Sequence, residues 1–593
     1  MTPVGTAAGE RIALPAVPPV WVLSAPPDPE RVSALAAALD LPPTMCALLV
    51  GRGLSAADSA KAFLRPLLDH LHPPSLLADA PRAADRILAA VRAGESILVH
   101  GDYDVDGVCA AALLARWLRS IGARVTPFVP HRLTDGYDFG AAGLAAARAA
   151  GARLIVTADC GVLAHEWVAR AAEEGIDVVV TDHHMPHAEL PPAVAVVDPS
   201  RPDCSYPNKG LCGTGVAWKL CWLIAERGGH PTAALLDLLD LVAVATVADL
   251  VPLEGENRVL VRFGLRALAR TTKPGLRALM RVTGLAETDD PTPIEAGRVG
   301  FVLAPRINAA GRMGAAARAL DLLMTEDPDE ADRLAHALED ENKVRQGEDR
   351  RTLEQALDQL AATYEPERDF GVVLAGEGWH PGVIGIAASR VVERIHRPVV
   401  LIALKDGRGR GSARSIPGFH LHDAIAACAE HLDRFGGHAQ AAGMDVSAAA
   451  LPLFREAFAA EARRRLQGRD LLLKPRLRID MELPDHPVDL RLIELLQYCG
   501  PHGIGNPRPV FLLTGAEASA AKEVGKGHLR LRLEKGRVRL DGIGFGLAER
   551  WAPATLSGRR VDVALQLQLD HWRGEKRLKA RLMDLRLSEQ PGH

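Results

Sequence analysis

The chain has 593 residues, of which 48% are hydrophobic and 24% are charged. One hydrophobic core rarely grows beyond about 250–300 residues, so this length predicts several domains, and the composition excludes a largely disordered or fibrous chain. The net charge is −4, which excludes a global positive field, so any binding of nucleic acid has to depend on local patches.

The cysteines and the hydrophobic runs indicate a chain that is not exported. The eight cysteines form no C-x-x-C pair, which argues against disulfides and against a structural zinc site. No uninterrupted run of about 18 apolar residues occurs, and the N-terminus lacks the basic and apolar regions of a signal peptide. We therefore expect a cytoplasmic protein with no membrane partner.

The first part of the chain is predicted to contain an auxiliary segment and an α/β domain. Residues 1–94 mix a Pro-rich linker with short helical pieces and are expected to form the auxiliary segment. In residues 95–270, apolar runs such as SILVH, ARLIVTAD and IDVVVTD alternate with Ala-rich amphipathic stretches. This βαβα order predicts a doubly wound parallel sheet, which holds its ligands at the carboxyl ends of the strands.

The remaining chain is predicted to form three further segments. Residues 271–366 are expected to be a connector with a long helix, because the charged stretch 327–364 has leucines at helical spacing and almost no breakers. Residues 367–467 repeat the α/β pattern as a second α/β domain. Residues 468–593 alternate in short strands with turns between them, which predicts a small OB-like β-barrel.

Acidic and imidazole side chains follow the apolar runs of the first α/β domain, and Asp249 is taken to end a fourth strand. In chain order they are His100, Asp102, Asp104, Asp106, Asp159, Asp182, His183, His184 and Asp249. One Asp after a strand is usually only a helix N-cap. Three acids at alternate positions would repel one another unless cations neutralised them, which favours a metal site, although a solvated turn would also explain the alternation. Oxygen and imidazole ligands without thiolates favour Mn²⁺ or Mg²⁺.

These motifs resemble those of the DHH phosphoesterase family, whose name describes the triplet Asp182-His183-His184. The resemblance implies two metal ions bridged by Asp159. It assigns His100 and Asp104 to one ion, and it assigns Asp106, His183 and Asp249 to the other. It leaves Asp102, Asp182 and His184 as catalytic groups that surround the ions or face the substrate.

A second motif lies in the later α/β segment, where GGHAQAAG (436–443) resembles the GGH-x-x-A-A-G motif of the associated DHHA1 domain. Glycines before a histidine let the backbone approach a phosphate, so His438 is expected to act at the scissile or an adjacent phosphate. Further residues with hydroxyl, amide or guanidinium groups are expected to bind the substrate backbone. With the two glycines and His438, the predicted substrate-binding set is Arg306, Asn308, Ser389, Arg390, Arg414, Gly436, Gly437 and His438. A helix-surface charge is an equal alternative for Arg390.

The C-terminal strands carry a local excess of basic residues, with sixteen Lys or Arg against ten Asp or Glu between residues 515 and 593. Arg530 and Arg532 alternate along one predicted strand, and Arg537 and Arg539 alternate along the next, so each pair should face one side. Phe545, Trp551 and Trp572 are available for base stacking, which favours an OB-like platform for single strands. A solvated face and core aromatics remain the alternatives.

Within the DHH family, the length and domain order resemble the bacterial exonucleases that are specific for single-stranded DNA. This resemblance implies 5′→3′ hydrolysis of single-stranded DNA by a two-metal mechanism in repair and recombination. It also implies a monomer, with a single-strand-binding protein and a helicase as candidate partners. A family phosphodiesterase that acts on short oligonucleotides or nucleotide phosphates is the first alternative. A catalytically inactive binding protein is the second, although it should have lost metal ligands.

Overall fold

The computed structural model describes residues 16–132, 134–285, 294–483, 490–572 and 575–589. The chain divides into two compact units. The N-terminal unit comprises Asp28–Lys343 together with Glu494–Arg508. The C-terminal unit comprises Met1–Pro27, Val344–Ile493 and Pro509–His593.

The described residues contain both helices and strands, in the following chain order. The helices are α1 (Pro29–Leu39), α2 (Pro43–Gly51), α3 (Ala57–Leu64), α4 (Ala80–Ala93), α5 (Val105–Ser120), α6 (Ala141–Ala149), α7 (His165–Glu173), α8 (Gly213–Gly228), α9 (Leu239–Ala248), α10 (Gly255–Leu268), α11 (Pro274–Val282), α12 (Ala296–Arg298), α13 (Ala304–Met313), α14 (Ala316–Met324), α15 (Pro328–Thr363), α16 (Ile384–Ile395), α17 (Leu421–Ala426), α18 (Leu451–Leu466) and α19 (Leu490–Gln497). The strands are β1 (Val20–Leu23), β2 (Ser96–Gly101), β3 (Arg124–Phe128), β4 (Ala152–Ala158), β5 (Asp177–Thr181), β6 (Ala195–Val197), β7 (Val372–Glu377), β8 (Val399–Lys405), β9 (Arg408–Arg414), β10 (Arg434–Gly437), β11 (Ala441–Ser447), β12 (Arg476–Ile479), β13 (Met481–Glu482), β14 (Phe511–Val524), β15 (His528–Lys535), β16 (Val538–Gly544), β17 (Arg559–Trp572) and β18 (Glu575–Leu587).

The N-terminal unit is built on a five-stranded parallel sheet with strand order β3-β2-β4-β5-β6. The central strands are apolar along nearly their whole length because both faces of the sheet are covered, as in β4, where Leu154, Ile155 and Val156 are fully buried. The apolar α5 packs against β2 and against α8 and α9. The predicted doubly wound parallel sheet is therefore confirmed, with the carboxyl ends of β2, β4, β5 and β6 at one edge.

The predicted connector is almost wholly helical where the structure describes it. A short π-helical segment, Val299–Leu303, joins α12 to α13, so one continuous helical run leads into the PRINAAGRM stretch. The long charged stretch forms the single 36-residue helix α15, which confirms the predicted long connecting helix.

The C-terminal unit contains a mixed sheet and a barrel. The sheet has the order β10-β11-β9-β8-β7, with β7 and β8 parallel and the other pairs antiparallel, and α16 and α18 pack against it. The second sheet has the order β13-β14-β15-β16-β18-β17, and pairing of β14 with β17 closes it into a barrel. The second α/β domain and the OB-like barrel are both confirmed. The strand β1, from the start of the chain, pairs with β12.

Residues Glu494–Arg508 belong to the N-terminal unit, although they lie between two strands of the barrel sheet in sequence. The buried guanidinium of Arg258 donates hydrogen bonds to the carbonyls of Tyr498 (2.9 Å) and Gly500 (2.7 Å), and Arg52 donates to Asn506 Oδ1 (3.1 Å). The five-segment division of the chain stays a prediction, but a cut at residue 468 would remove this segment.

Among the described residues, no single helix has both the length and the apolarity needed to cross a membrane. Only α1 and α2 taken together, with a bend of 120° between them, pass on length and composition.

Candidate active site

The first motif forms a tight turn between β2 and α5. Asp104 caps α5, and its Oδ1 accepts hydrogen bonds from the backbone nitrogens of Asp106 (2.9 Å) and Gly107 (3.1 Å). A β-carbon on Gly107 would lie 2.3 Å from the backbone nitrogen of Asp102, so only glycine fits there. The turn formed by HGDYDVDG (100–107) therefore places the carboxylates of Asp102, Asp104 and Asp106 at the carboxyl end of β2.

The N-terminus of α8 holds the carboxylate of Asp106. The backbone nitrogen of Gly213 donates to Asp106 Oδ2 (2.6 Å), and that of Thr214 donates to Oδ1 (2.7 Å). Thr214 Oγ1 also donates to the backbone carbonyl of Asp106 (2.9 Å). The first turn of a helix carries partial positive charge, so it is a favourable partner for this buried carboxyl group.

The imidazole of His183 lies among three carboxylates from different elements. Its Nε2 is 3.1 Å from Asp159 Oδ1, 3.8 Å from Asp249 Oδ2 and 3.9 Å from Asp106 Oδ2. Three sets of side chains each offer potential ligand atoms within 4.8 Å of one another. The sets are Asp106, His183 and Asp249; Asp102, Asp104 and Asp159; and Asp159, His183 and His184.

Asp159 takes part in two of these sets. It follows β4 and has a left-handed backbone with a φ of 67°, a conformation that Asp and Asn tolerate better than most residues. Its Oδ1 is buried and accepts no hydrogen bond from the described residues. Burial, and then the charges of Asp106 and Asp104, raise the pKa of Asp159 well above its usual range.

His100 lies beside these sets rather than within them. Its Nδ1 is 3.5 Å from Cys160 Sγ, and its buried Nε2 has no hydrogen-bond partner among the described residues. Burial lowers the pKa of His100 to about 4, so the imidazole is neutral at physiological pH and keeps a lone pair for a ligand.

The electrostatics of the cluster fit divalent cations. Burial, and then the charges of neighbouring carboxylates, raise the pKa of Asp102, Asp104 and Asp249. Together these causes raise the pKa of Asp249 to about 8. Buried carboxylates that repel one another, together with unpartnered oxygen and imidazole atoms, need positive charge at the same place. Hard oxygen donors with imidazole suit Mn²⁺ and Mg²⁺, so the residues present fit a pair of such ions.

The rest of the DHH triplet forms a hydrogen-bonded chain. Asp182 Oδ1 accepts from the backbone nitrogens of His183 (2.8 Å) and His184 (3.1 Å) and lies 2.7 Å from His184 Nδ1. The opposite ring nitrogen of His184 is 3.2 Å from the hydroxyl of Tyr137. Burial works against the charged form of His184, but the bond to Asp182 prevails and raises the pKa of His184 to about 9. Asp182 therefore orients the neighbouring histidine.

Asp249 does not end a strand, and that prediction was wrong. It follows α9 and occupies the C-cap position of this helix. The run LDLVAVATVA is apolar all round because α9 is buried between other helices, and periodicity cannot separate a buried helix from a buried strand in so short a run. The carboxylate still reaches the cluster through its contact with His183.

Two polar residues near the cluster were missed by the sequence analysis. Asp198 directly follows β6, is fully buried, and has an Oδ2 without a hydrogen-bond partner in the described chain; burial raises its pKa to about 7. Asp182 was selected because it directly follows an apolar run, and the same criterion would also have selected Asp198. No pattern indicated Tyr137, which reaches His184 from a loop.

The helix α13 carries Arg306 and Asn308. Arg306 Nε is 2.8 Å from Glu339 Oε2, and its Nη1 donates to the carbonyl of Val302 (2.8 Å), so this guanidinium is held within the N-terminal unit. Asn308 is half-buried. The same helix approaches the first motif closely, since a β-carbon on Gly311 would lie 2.3 Å from the carbonyl oxygen of Tyr103.

The other predicted substrate-binding residues lie in the C-terminal unit. Ser389 Oγ donates to the carbonyl of Gly385 (3.1 Å), Arg390 Nη1 lies 3.1 Å from Asp349 Oδ2, and Arg414 Nη1 donates to Ser412 Oγ (3.0 Å). Arg390 therefore pairs with an acidic group of its own unit.

The glycine motif forms the β10–β11 hairpin. Gly436 and Gly437 pair with Gly443 and Ala442, and the exposed His438 begins the connecting turn, where its backbone nitrogen donates to the carbonyl of Ala441 (2.8 Å). Gly437 has a φ of 142°, and a β-carbon there would meet the carbonyl oxygen of Ala441 at 2.5 Å. Glycine is therefore required to present His438.

The barrel exposes some of the predicted basic residues but not as a purely positive face. Arg530 and Arg532 face outward from β15 and Arg539 from β16, with buried leucines alternating between them. Arg537 lies in the turn directly before β16 rather than on that strand, and it is exposed like Arg539, with the buried Val538 between them.

Acidic partners and aromatic residues complete this surface. Arg532 Nε is 3.2 Å from Asp541 Oδ1, so part of its charge is balanced. Phe545 is 54% exposed and lies under the guanidinium of Arg581, whereas Trp551 is half-buried. The side chain of Trp572 lies outside the described part of the chain.

Family models match three parts of the chain. The DHH family N-terminal domain matches residues 96–246, the DHHA1 domain matches residues 369–464, and the RecJ OB domain matches residues 479–584.

Curated relatives match most of the chain. The single-stranded-DNA-specific exonuclease RecJ of Bacillus subtilis is 34% identical over 569 residues, which cover 95% of this chain and 70% of that protein. The protein of the same name from Escherichia coli is 35% identical and covers 91% of this chain and 95% of that protein.

Solved structures agree with these relatives. RecJ from Thermus thermophilus in complex with Mn²⁺ has a TM-score of 0.80 at 33% identity, covering 96% of this chain and 80% of that chain. The Mg²⁺ complex of RecJ from the same organism has a TM-score of 0.75 at 31% identity. Identity above 30% over nearly the whole length, together with matches to the DHH, DHHA1 and RecJ OB domains, shows that this chain belongs to the RecJ family of DHH exonucleases.

Proposed function

We propose that this protein is a metal-dependent exonuclease that degrades single-stranded DNA in the 5′→3′ direction during DNA repair and recombination. The observation that carries this proposal is the buried cluster of carboxylates around His183 at the carboxyl edge of the parallel sheet. Every metal-binding motif position expected for the family holds an acid or an imidazole, which argues against an inactive binding protein.

The proposed ligands divide into two sets that share Asp159. Asp106, His183 and Asp249 would hold one ion, and the proximity of their ligand atoms, within 4.8 Å of one another, supports this set. His100 and Asp104 would hold the other, and the unpartnered Nε2 of His100 supports it. The carboxylate of Asp102 joins Asp104 and Asp159 in one group and is an additional candidate ligand. A pair of divalent ions held by these residues would activate water and would stabilise the attacking and leaving oxygens of an in-line displacement at phosphorus.

The surrounding residues position the reacting groups. The N-terminus of α8 fixes Asp106, so its carboxylate cannot rotate away from the cluster. Asp182 fixes the orientation of His184 and keeps its imidazole protonated, which makes His184 the proposed proton donor to the departing oxygen.

The C-terminal unit supplies the proposed substrate contacts. We assign His438 to a phosphate at or next to the scissile bond, because the β10–β11 hairpin presents an exposed imidazole beside two glycines. Ser389, Arg390 and Arg414 are proposed to hold neighbouring phosphates. Arg530 and Arg539 on the barrel are proposed to hold the strand farther along, with Phe545 as a stacking platform.

The cellular setting is also a proposal. We place the protein in the cytoplasm as a monomer, with a single-strand-binding protein and a helicase as partners that expose and present the strand. The competing function is hydrolysis of short oligonucleotides or nucleotide phosphates by the same cluster.

A labelled length series tests the proposed activity. Single strands of 3–60 nucleotides, carrying label at either end, are incubated with Mn²⁺ or with a chelator, beside blunt duplexes of the same sequences. We expect cleavage of long single strands, loss of nucleotides from the 5′ end, resistance of the duplex and no activity with the chelator. Activity that falls steeply above about five nucleotides, a length that one OB fold spans, would favour the short-substrate function.

A further inference from the structure

Three apolar side chains are strongly exposed on segments that adjoin the candidate metal ligands. Met185 is 70% exposed, Leu250 is 67% exposed and Phe301 is 85% exposed. We call these three residues the apolar rim; all belong to the N-terminal unit. Single exposed apolar residues are common on protein surfaces, so their positions rather than their exposure carry the argument.

Two rim residues stand one or two positions after candidate ligands in sequence. Met185 comes after the DHH triplet, and Leu250 comes after Asp249. Since His183 Nε2 and Asp249 Oδ2 are 3.8 Å apart, the chain leaves the metal cluster at two adjacent places and exposes an apolar side chain at each.

Phe301 reaches the same region from the helical run before α13. It lies in the π-helical segment, which packs against α9, and a β-carbon on Gly300 would lie 3.3 Å from Val247 Cγ1. Val247 stands two residues before Asp249. At its other end the run approaches the carbonyl of Tyr103 in the first motif. Single π-helical turns inside α-helices occur frequently at functional sites.

The backbone of Leu250 is left-handed, with a φ of 59°. Leu250 directly follows Asp249, the C-cap residue of α9, and helices commonly end with a residue in this conformation. Glycine usually occupies such a position, because a β-carbon makes the conformation less favourable. Here the helix ends instead in a leucine whose side chain is exposed, directly after a candidate metal ligand.

We infer that the apolar rim contacts the unpaired bases of the terminal nucleotides of the DNA strand, with Phe301 as the stacking side chain. This inference rests on the proposed function and names what the site recognises besides phosphate. The metal cluster is polar and suits the phosphodiester, whereas the rim beside it suits the apolar faces of the attached bases. Every base has such a face, so the contact selects unpaired nucleotides without selecting sequence. A base pair keeps these faces stacked within the duplex and withholds them from the rim.

The test combines a rim variant with a strand that lacks the contacted bases. Phe301→Ala, Phe301→Trp and the matched control Leu67→Ala are compared with the parent protein. Leu67 is 54% exposed in the same unit but adjoins no candidate ligand. Each protein is given a normal strand and a strand with abasic sites at its two 5′-terminal positions. Stacking one base contributes about 1–3 kcal/mol, so Phe301→Ala should raise KM about 5- to 150-fold on the normal strand. It should change little on the abasic strand, and Phe301→Trp should retain the parental KM.

A binding measurement separates this inference from the proposed function. The fluorescence of 2-aminopurine at the 5′-terminal positions is recorded during titration with metal-free protein. We expect quenching by the parent protein and Leu67→Ala but not by Phe301→Ala. If the parent protein cleaves no single strand with Mn²⁺, the proposed function is wrong. The quenching would still show whether Phe301 contacts the terminal bases. Equal quenching and equal KM for Phe301→Ala and Leu67→Ala would overturn the inference and leave the rim as a surface for something other than bases.

Discussion

Replacing Asp159 with Asn tests the shared position of this carboxylate in the cluster. Asn is the suitable replacement because it has the same shape and tolerates the φ of 67° at this position, whereas Ala would add backbone strain. The substitution removes one negative charge from a group that lies within 4.8 Å of ligand atoms of Asp102 and Asp104.

The expected effects have opposite signs with and without metal. Two full charges at that separation repel by about 3 kcal/mol at an effective dielectric constant of 20. The raised pKa of Asp159 shows that protonation already relieves part of this repulsion in metal-free protein. We therefore expect metal-free Asp159→Asn to gain about 1 kcal/mol of unfolding free energy, an increase of about 2 °C in the melting temperature. With Mn²⁺ it should bind at least one ion fewer and lose at least about 10³-fold in cleavage rate, because a metal contributes several kcal/mol to the transition state.

Three measurements on the same preparation decide the outcome. Melting curves are recorded with chelator and with Mn²⁺, bound metal is counted by mass spectrometry, and cleavage of a labelled single strand is timed. Asp198→Asn is the matched control, since Asp198 is another buried strand-end Asp but belongs to none of the ligand sets. Two retained ions with parental cleavage would refute the bridging position of Asp159. A lower melting temperature than the parent in chelator would refute the electrostatic reasoning.

Three further predictions concern the metal cluster, the β10–β11 hairpin and the barrel. Burial and neighbouring carboxylates raise the pKa of Asp249 to about 8, so the folded metal-free protein binds this proton more tightly than the unfolded chain. Its unfolding free energy should therefore fall as pH rises from about 4 to about 8, Mn²⁺ should flatten the profile, and a level profile in chelator would contradict the shift. His438→Ala should slow cleavage while leaving the metal content unchanged. If this variant cleaves as fast as the parent protein, the β10–β11 hairpin has a structural role only. Replacing Arg530 and Arg539 together with Ala should lower the slope of log affinity against log salt by about 1.4 for a long single strand. The same double variant should retain its cleavage rate at saturating substrate, and an unchanged slope would mean that these arginines do not hold DNA.

Residue 468, where the barrel segment is predicted to begin, suggests a deletion as a simpler experiment. All the predicted metal ligands precede this residue, so the sequence alone predicts that such a deletion leaves the reaction centre intact. Arg258 and Arg52 of the N-terminal unit, however, hydrogen-bond to residues between Glu494 and Arg508, so that deletion would also remove part of the unit that carries the cluster. Point substitutions on the barrel avoid this damage.

The sequence by itself determined the local chemistry and the order of the elements. The apolar runs ending in polar residues predicted the parallel sheet, because strands buried on both faces must be apolar throughout and their carboxyl ends meet at one edge. The close spacing of Asp102, Asp104 and Asp106 predicted a cation site, because charge repulsion acts between neighbours in sequence. The absence of breakers predicted the single helix α15.

Only the tertiary structure decided which distant residues complete the site. Asp249 reaches His183 from the end of a helix, the N-terminus of α8 fixes Asp106, and Tyr137 reaches His184 from a loop. Phe301 is exposed on a π-helical segment that packs against α9, the helix whose C-cap is Asp249. None of these contacts has a periodicity or a spacing in the sequence, since each depends on how elements far apart along the chain pack against one another. Local patterns therefore specify which side chains carry charge, and packing specifies which of those charges meet.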